Sequence, residues 1–174
     1  ESGPIALSEV PARAVEAGGL LRAMESDIEP SPDVVAIETS LPDFSAQITA
    51  EVARASGGLG LVPWDGLLGE LETAWAARRS RLAAWSSTLQ ERSRALERNL
   101  DSLSKMQVLW SNTRRHAIES SAPSVIVARI SEVITEIRSV STRTVRRQGE
   151  ILTLQEKVGA LGATADEILG QVRR

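Results

Sequence analysis

Cysteine and tyrosine are absent from the 174 residues, and phenylalanine and histidine occur once each. Without cysteine no disulfide can brace the chain and no thiolate can bind a metal or attack a substrate. His116 stands alone, so neither a histidine-rich metal site nor a Ser-His-Asp or Cys-His arrangement finds its partners at a supporting spacing. Basic charge is not in surplus: 20 Lys and Arg face 23 Asp and Glu, for a net charge of -3. That balance argues against duplex DNA or RNA as a partner. No apolar run approaches the roughly 20 residues a bilayer-spanning helix needs. Aromatics are 3% of the chain, and 4 of them are Trp. Aliphatic seams with few rings are what coiled helices use.

What remains is a seven-residue repeat. Trp75, Leu82, Leu89, Leu96, Leu103, Trp110 and Ala117 form one series without a slip. A second series alternates steps of four and three: Ile126, Ile130, Val133, Ile137, Val140, Thr144, Arg147, Ile151, Leu154, Val158, Leu161, Ala165, Ile168 and Val172. Residues three and four apart share one helix face. A strict seven-residue repeat winds two such helices around each other. Only Ser120, Ser121, Ala122 and Pro123 separate the series, so the helices are predicted to be antiparallel neighbours. Around such a turn, facing positions sum to about 243. Trp75 then meets Ile168, Leu82 meets Leu161, Leu89 meets Leu154, Leu103 meets Val140 and Trp110 meets Val133.

Three layers break the apolar pattern. Arg92 would face Ile151, Leu96 would face Arg147 and Asn99 would face Thr144. Arg92, Asn99, Thr144 and Arg147 make a polar waist. In one reading the arginine stems lie along the seam and their heads reach water beside Glu91 and Glu150. In the other the waist is a soft hinge or a register device.

Two shorter helices precede the long pair. The first is expected over residues 8–27, with Ser8 as N-cap and Pro11 in its first turn. Val10, Ala14, Leu21, Met24 and Ile28 mark its buried side. Gly18 and Gly19 weaken its middle, and Glu29-Pro30-Ser31-Pro32 stops it. The second is expected over residues 33–56, with a stripe of Val34, Ile37, Leu41, Phe44, Ile48, Val52 and Ala55 that keeps phase through Pro42, so that Pro42 is expected to kink the helix near Leu41 and not to break it. Gly57-Gly58-Leu59-Gly60 ends it. No Lys-Ser or Lys-Thr follows those glycines, so they are a terminator and not a phosphate cradle. Trp64 is read either as a staple beside Pro63 or as an amphipathic ring at a membrane interface. Trp75, Trp85 and Trp110 are assigned to the core.

The fold predicted is all-α. A long antiparallel two-helix coiled-coil hairpin (63–120 and 123–174) carries two shorter N-terminal helices (within 8–62) packed at its base. Residues 1–174 are taken as one helical domain. Both short helices are expected near residues 67–90 and 154–172, which leaves residues 96–148 as a bare two-helix arm. The basic pairs Arg78-Arg79, Arg114-Arg115 and Arg146-Arg147 are solvated faces in this reading. Glu132/Glu136 and Asp166/Glu167 lie on open faces with no cleft to raise a carboxyl pKa. Catalytic, cofactor-binding and metal-ligating residues are none, and neither an enzymatic role nor a small-molecule substrate is expected.

Residues 67–172 resemble the periplasmic helical region of large bacterial mechanosensitive channels of the small-conductance (MscS-like) family. The residues that carry the likeness are Leu96-Glu97-Arg98-Asn99-Leu100-Asp101-Ser102-Leu103, then Trp110 with Thr113 and Ala117. The Ala122-Pro123 reversal follows, then Val127 to Ile137 and Ile151-Leu152-Thr153-Leu154-Gln155-Glu156-Lys157-Val158. The resemblance implies a non-catalytic, periplasmic segment of an inner-membrane ion channel. It would modulate gating, assembly or contacts with other subunits or envelope proteins. The membrane-embedded portion would lie beyond Arg174, and no functional residue of the pore transfers to this chain. The start at Glu1 and the end inside a helical pattern fit a fragment or processed form. The alternative is a freestanding coiled-coil adaptor, or the helical sensor module of a receptor.

Overall fold

The structure, a computed structural model, describes residues 3–58 and 67–172. Four helices and no strand occur among the described residues: α1 (Val10–Ile28), α2 (Pro32–Gly58), α3 (Leu67–Glu119) and α4 (Ser124–Val172). The chain divides into two compact units. One comprises Glu1–Glu29 and Ser93–Glu150, the other Pro30–Arg92 and Ile151–Arg174. Each therefore contains part of α3 and part of α4.

The reversal between α3 and α4 lies where the short break placed it. Ala122 N–H donates to the Ala117 carbonyl at 2.9 Å, and Ser121 N–H donates to the Ile118 carbonyl at 3.1 Å. Those two bonds make a Schellman motif, which satisfies carbonyls the helix end leaves open. Ser121 takes the left-handed conformation this cap requires, with φ 51. Pro123 then begins the next turn, its carbonyl accepting from Ile126 N–H at 3.0 Å.

In the first unit, one apolar core joins three helices. Leu103, Trp110 and Ala117 from α3 meet Ile130, Val133, Ile134, Ile137 and Val140 from α4. Val10, Ala14, Ala17 and Leu21 of α1, with Ile5 just before it, belong to the same core. This corrects the expectation that both short helices pack at the base and leave residues 96–148 bare. The apolar stripe of α1 is spent on α3 and α4 beside Leu103 and Trp110. The expected N-cap also moves by one residue: Glu9 holds that position, without a side-chain capping bond, and Pro11 lies in the first turn.

In the second unit, α2 buries Val34, Ile37, Leu41, Phe44 and Ile48. The helix runs unbroken through Pro42. Phe44 meets the Trp85 ring edge-on at 5.2 Å. Arg78 of α3 bonds Glu51 of α2 at 2.6 Å. α3 and α4 flank a shallow groove lined by Ala76, Leu82 and Ala83 against Val158, Gly162 and Leu169. Arg79 pairs with Asp166 across the same two helices. Pro63 and Trp64 lie outside the described residues, so the two readings of Trp64 stand as they were.

Candidate functional site

The heptad positions of α3 lie inside the fold. Trp75, Leu82, Leu89, Leu96, Leu103 and Trp110 are all buried. On α4, Val133 and Val140 are buried, whereas Leu154, Leu161 and Ile168 are half-buried. The deeper positions at that end of α4 are Ile151, Val158, Ala165 and Leu169. The alternate layer is thus covered better in the first unit, where α1 joins the core, than in the second.

The polar positions interrupting this seam have individual fates. Thr144 is fully buried, and its hydroxyl donates to the Val140 carbonyl of its own helix at 2.8 Å. A buried threonine thereby satisfies its hydroxyl without a partner from another helix. Asn99 is half-buried. Its Nδ2 donates to Oδ2 of Asp27, near the end of α1, at 3.0 Å. Arg143, one residue before Thr144, pairs with Glu25, also on α1. Arg92 is half-buried and belongs to the second unit.

Arg147 departs from the expectation that its head reaches water. Its side chain is only 7% exposed, and Nη1 bonds Oε2 of Glu150 at 2.8 Å. A buried guanidinium needs such a carboxylate, because desolvation of an uncompensated charge is costly. The hydrogen bond from Arg147 holds the Glu150 carboxyl below its ordinary value. Partial burial opposes that shift, and the charges of Arg147 and Arg146 add to it.

Thr113, Glu25, Asp27 and Arg143 were not singled out as site residues. Thr113 is fully buried. Its Oγ1 accepts from Ile5 N–H at 3.0 Å and donates to the Leu109 carbonyl at 2.9 Å. Thr113 stands between Trp110 and Ala117 in the family-like phrase and lies seven residues after Met106, the spacing that keeps two residues on one coiled-helix face. Nothing local marks Asp27 or Glu25 as partners of Asn99 and Arg143, 72 and 118 residues away.

Of the waist residues in the first unit, Asn99 ties α1 to α3, whereas Thr144 and Arg147 bond within α4; the polar tie from α1 to α4 is made by Arg143. These polar groups do not converge on a cleft. His116 is exposed. Among the described residues, no group of three His, Cys, Asp or Glu side chains could hold a metal ion. No described helix is long and apolar enough to cross a membrane. Comparison with protein-family models, with curated proteins and with solved structures found no match for this chain.

Proposed function

We propose that this chain is a non-catalytic, periplasmic helical segment of a bacterial mechanosensitive channel of the small-conductance family. We further infer that α3 and α4 form an antiparallel coiled-coil hairpin with facing positions summing to about 243. The observation that carries the reading is the family-like phrase set, which falls on α3, the Ala122-Pro123 reversal and α4 in phase with the buried layers. Trp110 and Ala117 of that phrase are buried, as are Ile130, Val133 and Ile137 within the stretch beginning at Val127, and Ile151 and Val158. Residues that pack helix against helix explain why such phrases have the form they do.

In this account the segment transmits or modulates, and the pore does the conducting. Its partner is the membrane-embedded portion C-terminal to Arg174, together with other subunits or envelope proteins. A paired-helix element suits that task because packed helices shift between discrete arrangements instead of deforming continuously.

The test is the coding sequence after Arg174, followed by an alkaline phosphatase fusion at that junction in a Gram-negative host. Several apolar spans and a Gly/Ala-rich helix downstream, with an active fusion, are expected. A soluble domain downstream, or a fusion inactive in the periplasm, would overturn the reading in favour of a freestanding adaptor or sensor module.

A further inference from the structure

The way α1 is attached has a consequence independent of the proposed channel role. α1 belongs to the unit containing residues 93–150, whereas the next helix, α2, belongs to the other, and the boundary falls between Glu29 and Pro30. Beside the Arg13–Glu16 pair within the helix, polar ties of α1 and of Ile5 just before it reach far along the chain. Ile5 N–H bonds Thr113, Asp27 bonds Asn99, and Glu25 pairs with Arg143, at separations of 108, 72 and 118 residues.

Capping and first- or last-turn charges contribute little to α1. Its N-cap makes no side-chain bond, its first turn has no acidic residue and its last turn no basic one. Gly18 and Gly19 stand in its middle. A 19-residue helix of this composition is marginal alone, because nucleation is costly and packing supplies most helical stability. The helix therefore depends on the surface that α3 and α4 present to it.

The connector is equally specific. Glu29 is extended, with φ -61 and ψ 141. Pro30 and Pro32 flank Ser31, and a proline biases its preceding residue toward extended backbone. A short stiff link between a terminal helix and the rest of a chain is the kind of hinge that favours exchange of that helix between copies.

We propose that α1 is exchangeable, and that the α3/α4 surface it covers is an interaction site for α1 of a second copy of this chain. An exchanged pair repeats every contact of the closed form: Ile5 with Thr113, Asp27 with Asn99, Glu25 with Arg143, and the apolar stripe with Leu103 and Trp110. The two forms differ only at the connector and in the freedom lost on association.

The chain has no native cysteine, so introduced thiols report cleanly. Asp27→Cys in a tagged chain and Asn99→Cys in an untagged one are unfolded, mixed at high concentration, refolded together and oxidised. A disulfide-linked heterodimer and a shift to dimer mass in light scattering are expected. The double variant Asp27→Cys/Asn99→Cys shows whether the two positions close a bond within one chain. A second arm uses charge. Glu25→Arg and Arg143→Glu each lose the 25–143 ion pair, but an exchanged heterodimer of the two restores it at both sites. Mixing is expected to yield more dimer than either variant alone. Intrachain closure of the double cysteine variant with no heterodimer in the cysteine mixture overturns the proposal. So does the absence of heterodimer from both mixtures.

Discussion

Replacing Thr113 by Val tests whether the segment before α1 is anchored as the structure has it. Valine is nearly isosteric, so packing beside Trp110 and Ala117 is preserved while the hydroxyl is lost. Thr113 Oγ1 accepts the Ile5 N–H at 3.0 Å in a buried setting. Ile5 is 8% exposed and Thr113 0%, so water cannot readily replace the lost acceptor. An orphaned buried donor costs about 1–3 kcal/mol. In a protein of this size each kcal/mol moves the melting temperature by about 2–4 °C. Because the loss falls on the contact that secures the start of α1, local opening there becomes easier. Amides of α1 should exchange about 5- to 150-fold faster, the equivalent of 1–3 kcal/mol. Amides near Leu82, in the other unit, should be unaffected. Thermal melting and hydrogen exchange read both effects. A Thr113→Val protein with wild-type melting and wild-type exchange in α1 would refute the anchoring of Ile5.

Four single contacts are open to test by substitution. Ser121 occupies the left-handed cap position with φ 51; Ser121→Gly should raise stability by about 0.5–1 kcal/mol and Ser121→Val should lower it, as read by urea denaturation. Thr144→Val should raise stability by about 0.5–1 kcal/mol, because its hydroxyl only bonds back to Val140. Asn99→Leu should instead lower it by about 1 kcal/mol, because it strips Asp27 of the 3.0 Å bond; a gain from Asn99→Leu would mean that bond is not formed. The folded-state pKa of Glu150 is lowered chiefly by the Arg147 hydrogen bond, so its stabilisation is present above the unfolded value of about 4.3 and is lost as pH falls through the folded value. The Glu150 side chain is 45% exposed, so Glu150→Gln should cost under about 1 kcal/mol at pH 7, and the gap to wild type should close as pH falls through the lowered folded value.

The long helices were legible because their apolar residues keep a seven-residue period over many turns, and such a period has one geometric meaning. The turn was legible because four residues leave no room for another connection. The placement of α1 was not. Its buried face is Val10, Ala14, Ala17 and Leu21, two of them alanines, and such a stripe does not say which surface it covers. Its polar ties pair residues more than 70 positions apart, and no local spacing encodes such a pair. The waist was visible as a breach in the heptad, but the role of Asn99 in it depended on Asp27 of α1 being near. Arg147 shows the same limit. The sequence places it in the seam, while its burial follows from the packing of its neighbours and the carboxylate of Glu150 three residues on.

The register of α3 against α4 underlies the whole account, and cysteine crosslinking measures it directly. Leu103 and Val140 lie in one core, and facing seam positions are close enough for disulfide geometry. Leu103→Cys with Val140→Cys should crosslink efficiently under oxidation, and Leu103→Cys with Glu132→Cys should not. Crosslinking of position 103 to 132, with none to 140, would contradict the account by about two helical turns.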